Sequence, residues 1–477
     1  MRLLATRLTA IASAVKRLFS PASLFRNAEQ GVWYDPSDLT TLFQDSAGTV
    51  PVTAVEQPVG LMLDKSKGLV LGPELVTNGG FDSVADWTLA SYAAISGGLL
   101  NVGTSGAGVF ASQPASVVAG KTYIVTFTLT VLSGSNNVSP AVGGTLSSIV
   151  RNATGTYTEC IVAGGTGIVH MQGRGSGVTN CTIDNISVKE LPGNHATQAT
   201  STKRPVLSAK VNLLTGSAAL ATQSVATTAI PYTLKHTGTG TITLSGTSTA
   251  GPLVGPGTLT FTPTAGTLTL TVSGSVTEAQ LETGSVATRY QWVNTAADYD
   301  TVGFPKYLKF DGVDDSMSTA TVDFTATDKM TVFAGVRKLS DASTQVIAEC
   351  NGGVNNQFGL YITAVYEYGW YSTGSVSSDA RVDSATYAAP RTNVITTIGD
   401  ISGDAATLRI NGAQAATSAS DQGTGNYGNY PLYIGSRAGT SLPFNGHLYS
   451  LIVRGAQSTD AQIASAESYV NGKTGAY

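Results

Sequence analysis

Cysteine is nearly missing from this chain: three residues in 477, Cys160, Cys181 and Cys350. No disulfide framework and no metal-ligand spacing follows from them; Cys160 and Cys181 fall in one segment and can pair, but buried free thiols are the favoured reading. Charge is equally sparse, at 12% with a net of −4, so the basic footprint that nucleic acid requires is lacking. No apolar run approaches the ~20 residues of a membrane-spanning helix. The four histidines, His170, His195, His236 and His447, share no ligand spacing. No G-x-S-x-G occurs, and Gly120-Lys121-Thr122 and Gly472-Lys473-Thr474 lack the earlier glycine of a P-loop. Residues 423–428 match G-x-G-x-x-G by letter, yet they lead into a strand rather than a helix, so no helix N-terminus awaits a pyrophosphate.

What the chain has instead is glycine, 54 residues of it, with threonine, serine and valine filling much of the remainder. Low charge with β-branched residues and glycine predicts all-β domains joined by tight turns, and the length suits about three of them. Strict alternation over Lys121–Val131 and Thr267–Val272 reads as half-buried strands. The N-terminus differs. Leu4, Leu8, Ile11, Val15 and Leu18 recur at spacings of four and three, a short heptad seam with Arg2, Arg7, Lys16 and Arg17 off it. A retained attachment or oligomerisation helix over 1–28 is expected. A secretory signal is the rival, but Lys16 and Arg17 interrupt its apolar region and no small-x-small site follows in register.

Three separated stretches then read as one interrupted sentence. Residues 31–39 are GVWYDPSDL and 63–68 are LDKSKG; the continuation GNHATQAT stands at 193–200, and KRPVL at 203–207 is separated from YLKFDGVDD at 307–315. Joined, these pieces resemble the laminin-G-like (concanavalin-A-like) sandwich of phage and prophage virion fibres, in which the pattern "W/LDKSGxGNHATQAT…P…FDGVDD" is continuous. The resemblance implies a host sandwich over 29–71, 192–210 and 293–477 with two insertions. The first, 72–191, resembles galactose-binding-like jelly rolls at both ends, PELVTNGGFD (73–82) with Trp87 and CTIDNISVK (181–189). That family often holds a structural calcium where its first and last strands meet, which implicates Asp82 and Asp184; the plainer reading is polar residues ending strands. Trp87 is read as core. The second insertion, 211–292, ends in AQLETGS (279–285) like the same class; poor in aromatics, it reads as a spacer or trimer contact. The fold class expected is therefore all-β, a concanavalin-A-like sandwich interrupted by two jelly rolls, with a short N-terminal α-helix. A C-terminal helix is expected from an N-cap at Ser458 or Thr459 to an αL stop at Gly472.

Candidate binding residues are aromatic. Tyr366, Tyr368, Trp370 and Tyr371 crowd one stretch and Tyr427, Tyr430 and Tyr433 another. Such rings suit sugars, an apolar face stacking while a polar tip hydrogen-bonds. Period-two alternation puts Tyr366, Tyr368 and Trp370 on one face, core or surface, while Tyr427 and Tyr430 are expected in an exposed loop. Asp314 and Asp315, adjacent on a strand, would point to opposite faces and so fail as a glycosidase pair. Instead Phe310 is expected in the core, with Asp311 and Gly312 in a turn. The resemblance thus implies no catalysis but a virion fibre or spike, assembled in the host cytoplasm and displayed on the particle as a homotrimer. Its N-terminal helix would meet other virion proteins, and host-surface glycans would be weak multivalent ligands. The alternatives are a decoration subunit with no ligand, whose tyrosines would be buried, and a secreted carbohydrate-active protein.

Overall fold

The computed structural model describes residues 19–477 except 354, 366, 383 and 384, and leaves the side chains of 378, 380–382 and 385 aside. The seam residues Leu4, Leu8, Ile11, Val15 and Leu18, and Tyr366, lie outside the described residues.

Two large antiparallel sheets form the host sandwich. One eight-stranded sheet is centred on Asn445–Arg454, which pairs with Lys329–Lys338, Tyr307–Asp311 and the early strand Gly31–Tyr34. The second, nine-stranded, runs from Leu42–Phe43 through Leu61–Met62, Ala196–Thr197 and Met317–Asp323 to Asn429–Ile434, Gln345–Cys350, Gln357–Ile362, Tyr368–Thr373 and Ser377–Val382. Alternate residues of both point inward to one core holding Val32, Phe310, Val332, Leu360, Trp370 and Leu451.

Both insertions stand where a hairpin turn would otherwise be. Leu61 pairs with Thr197 and Met62 with Ala196 across the first; Val206 pairs with Lys309 and Leu207 with Leu308 across the second. At the first junction the fully buried Asp64 accepts from the backbone N–H groups of Trp33, Ser66 and Asn194, each at 2.8 Å, and from the Ser66 hydroxyl. His195 Nδ1 accepts from the Asp64 N–H at 2.9 Å, and its Nε2 lies 3.3 Å from the Leu191 carbonyl. Gly193 holds φ 117°, a conformation that L side chains rarely adopt, and a Cβ there would crowd Asp64 Oδ2 at 3.0 Å.

This junction has a pH signature. Burial pushes the His195 imidazole from 6.5 down to about 4. As pH falls through that window the unfolded chain takes up a proton that the folded one refuses, so stability is lost by up to ~3 kcal/mol. Asp64 acts oppositely: burial raises it from 3.8 to about 6 despite its hydrogen bonds, so the folded chain holds a proton there that the unfolded chain has released. A His195→Gln variant isolates the first effect. Its stability deficit against wild type is expected to shrink by up to ~3 kcal/mol between pH 6.5 and 4 in urea titrations, and a deficit independent of pH would refute the assignment.

The first insertion is a sandwich of its own, built on two strands of unusual length, Thr122–Val142 and Ile168–Leu191. Each contributes to both layers. Its register shifts between Gly173 and Cys181, opposite Gly134 at φ 69°, let the pair turn the corner. Tyr123, Val125, Phe127 and Leu129 fill the core as their alternation demands. Trp87 is buried beside Phe81 and donates through Nε1 to the Asn78 carbonyl. Cys160 and Cys181 are free thiols, each pushed up to about 12 by burial. The Cys160 N–H bonds to the Ala47 carbonyl at 2.7 Å, fastening the insertion to the host.

The second insertion packs a four-stranded on a three-stranded sheet around a mainly aliphatic core in which Tyr232 and Phe261 stack. Host Arg337 reaches it, donating to the Thr283 carbonyl at 2.7 Å with Glu282 3.9 Å away. The C-terminal helix, Asp460–Thr474, is capped by Thr459 and Gln462 in a reciprocal box. Its left-handed stop is Gly475 at φ 60°, not Gly472, which lies one turn earlier inside the helix. Ile463, Ala466 and Val470 seat it on Trp33, Phe333 and Ile452, covering the outer side of the eight-stranded sheet. Among the described residues no helix is long and apolar enough to cross a membrane.

Candidate functional site

With a helix over one outer face, the outer face of the nine-stranded sheet is where the host sandwich opens a cleft. A row of register partners crosses five strands there: Tyr433, Glu349, Gly359, Tyr371 and Asp379. The next row places Tyr361 opposite Gly369. Each tyrosine thus faces a glycine on the neighbouring strand and lies flat across it. A Cβ at Gly359 would fall 2.4 Å from the Tyr371 ring, and one at Gly369 2.2 Å from that of Tyr361. The two rings, 6.0 Å apart, form with Val346 and Leu442 a small apolar floor separate from the main core.

Above the floor is a polar cleft of about 520 Å³, rimmed by Thr344, Asn351, Gln357, Thr363, Ser377 and Asp379, with Arg437 at one side. Glu349 organises it. Its carboxylate is fully buried and accepts from the Tyr371 hydroxyl at 3.1 Å, Arg437 Nε at 3.2 Å, the Ala438 N–H at 3.1 Å and Asn351 Nδ2 at 3.3 Å. Four donors satisfy a buried charge that would otherwise be costly. Burial, reinforced by this carboxylate, pushes the Tyr371 hydroxyl far above its ordinary range. Arg437 is pulled down by partial burial, but the Glu349 charge outweighs that and holds it above its usual value. The Tyr361 hydroxyl donates to Asp379 at 3.4 Å. Hydroxyls, amides and a carboxylate over a tyrosine floor suit a polyhydroxylated ligand.

Among the described aromatic candidates Tyr371 alone lines this cleft, with 9% of its surface exposed. Tyr368 and Trp370 are fully buried and Tyr427 is 1% exposed, so none can stack on a sugar. Alternation explains the first two, which point into the core while Tyr371 points out. Tyr427 is drawn in because its hydroxyl pairs with Ser372 at 2.6 Å beneath the sheet and its ring meets Phe358 edge-on. Tyr430 is half-buried, its ring wedged against the backbones of Gly352 and Gly428. Tyr361, Glu349 and Arg437 went unremarked in the sequence. A signal existed, since Gly359-Leu360-Tyr361 and Gly369-Trp370-Tyr371 repeat G-x-Y, and antiparallel register sets each glycine against the other's tyrosine.

The first insertion does bring its ends together: the Leu75 N–H bonds to Val188 O and the Ile186 N–H to Gly79 O. Asp82 is exposed there, while the Asp184 carboxylate already accepts from the Asn185 N–H and Nδ2. The one cluster of three ligating groups among the described residues is elsewhere, at Asp311, Asp314 and Asp315, whose oxygens lie within 4.8 Å of one another. Asp311 ends the strand Tyr307–Asp311, and Asp314 and Asp315 lie in the turn after it rather than on a strand, so these two converge instead of pointing apart. Asp311 accepts from the N–H groups of Val313, Asp314 and Asp315 while its own N–H bonds back to Asp315. Burial and the neighbouring Asp311 charge raise Asp315 to about 7. Phe310 is in the core and Gly312 holds φ 76°, as the turn reading requires.

No curated protein sequence matches the chain. Among solved structures there is partial likeness to the binding domain of Botulinum Neurotoxin DC in complex with SialylT, at 11% identity and TM-score 0.28, covering 35% of this chain and 42% of that one. The Ruminococcus gnavus IT-sialidase CBM40 is similar at 20% identity and TM-score 0.26, over 34% of this chain and 96% of that one. The chain thus spans less than half of the toxin domain. At the level of family, residues 311–464, which include most of the cleft's sheet, match the concanavalin A-like lectin/glucanases superfamily.

Proposed function

We propose that this chain is the adhesive fibre or spike subunit of a phage or prophage particle, binding host-surface glycans weakly through the cleft over Tyr361 and Tyr371 without turning them over. The observation that carries the binding is the cleft: a polar rim above an apolar floor, held open by a fully bonded buried carboxylate. The virion setting is supported by the interrupted pattern at 31–68, 193–207 and 307–315. Repetition of the chain on a particle would turn weak contacts into useful avidity. Burial of Tyr368, Trp370 and Tyr427 favours a second reading, a decoration subunit with no ligand.

Filling the mouth of the cleft separates the two. Ser377 is exposed on the rim, so Ser377→Trp is expected to weaken retention on a glycan array at least about tenfold with Tm unchanged. An array on which neither protein binds anything leaves the decoration reading. Gold labelling of purified particles with an antibody to residues 293–477 tests the setting; no label on particles would refute it.

A further inference from the structure

We propose that the second insertion staples itself covalently, the Thr288 hydroxyl displacing ammonia from the Gln280 side chain to leave an ester between the two. The AQLETGS run at 279–285 puts Gln280 and Glu282 on one face of the strand Thr277–Thr283, while Ala279 and Leu281 fill the core from the other. The chain then turns back, and Thr288 and Gln291 meet that pair. The Thr288 hydroxyl donates to Glu282 Oε2 at 2.7 Å, a nucleophile resting on its base. The Gln280 carbonyl oxygen accepts from the Gln291 N–H at 2.7 Å, a backbone donor placed where negative charge develops in the reaction. The leaving nitrogen, Gln280 Nε2, donates to Glu282 Oε1 at 2.6 Å and to the Thr288 hydroxyl at 3.1 Å.

With a C–N bond of about 1.33 Å, that last contact puts the Thr288 oxygen roughly 4 Å from the carboxamide carbon. Rotation about the soft terminal torsion of Gln280 turns the face of this carbon toward the hydroxyl and shortens the gap to the attack distance of about 3–3.5 Å. An O–C bond then forms and the C–N bond breaks. The hydroxyl proton passes through Glu282 to the departing nitrogen, and one ammonia leaves; nothing is oxidised and no co-reactant is needed. Gln280 and Glu282 are buried, which keeps bulk water from the ester. The bond closes a ring around Thr283, whose carbonyl accepts from host Arg337, and so secures the insertion where it meets the host.

Mass spectrometry of the full chain, purified and held for several days before digestion with trypsin, tests this. The peptide His236–Arg289 contains Gln280 as its one glutamine and no asparagine, so ammonia lost from it cannot come from succinimide formation at an Asn-Gly pair. It is expected to be lighter by one ammonia, to yield no backbone fragments between 280 and 288, and to open with hydroxylamine, which cleaves esters. A wild-type peptide at full mass overturns the proposal. Thr288→Val is expected to restore the full mass, and a loss that survives it overturns Thr288 as the nucleophile. Glu282→Gln is expected to slow formation at least about a hundredfold; an unchanged rate overturns its role as base. If either variant fails to fold, the mass and hydroxylamine response of the wild-type peptide still decide.

Discussion

Alanine in place of Trp370 is expected to lower the unfolding free energy by about 3–5 kcal/mol, one of the two largest single-residue losses we predict in the host sandwich. The indole is fully buried, lies 5.4 Å from the Phe358 ring, and belongs to the core shared by both sheets. Truncation therefore loses transfer energy and leaves a cavity between close-packed layers. Phenylalanine at the same position is expected to cost far less, about 1 kcal/mol. Its smaller ring loses contacts, but Trp370 Nε1 is buried with no hydrogen-bond partner among the described residues, and removing that N–H relieves a penalty of about 1–3 kcal/mol. Urea denaturation measures both variants. Unchanged stability in Trp370→Ala together with lost glycan binding would instead show that the indole is a sugar platform.

Asp64→Ala is the second severe change. Three backbone N–H groups and one hydroxyl converge on this carboxylate, from Trp33 before the first insertion and Asn194 after it. Alanine leaves these donors buried without an acceptor, and about 3–5 kcal/mol is expected to be lost. Asp64→Asn keeps one carbonyl oxygen and should lose roughly half as much. The diagnostic measurement is hydrogen exchange: the amides of Trp33 and Asn194 should lose protection together, although 161 positions separate them in the chain. Continued slow exchange at either would mean that something else closes the junction.

Much of the host sandwich was legible because a motif broken in two places still reads as one motif, and the strands on each side of both breaks pair directly. Strand interiors were legible for a simpler reason, period two, as in Tyr123 to Leu129. What alternation cannot say is which face is inside. It separates Tyr371 from Tyr368 and Trp370, but the decision comes from Gly359 and Gly369 on partner strands, whose lack of a side chain lets two largely buried tyrosines lie flat on the outer face of the sheet. Tyr427 was misread because Gly425 and Gly428 around it signal a loop, while the hydroxyl that draws it inward belongs to Ser372, 55 residues away. The rest of the cleft had no local signal: Glu349, Asp379 and Arg437 come from three separate segments, and each alone is an ordinary polar residue.

The placement of both insertions at hairpin turns also dictates an order of assembly. The strand Gly31–Tyr34 finds its partner only in Asn445–Arg454. At about 5–20 residues per second, synthesis of the intervening ~400 residues leaves the first strand without its partner for roughly 20–80 s. Each insertion carries its own core and can fold in that interval. Once folded, each brings its two ends together and replaces a long, slow closure with a short one. The inserted domains then act as internal scaffolds, drawing Met62 to Ala196 and Leu207 to Leu308 before the last strand of the sandwich leaves the ribosome.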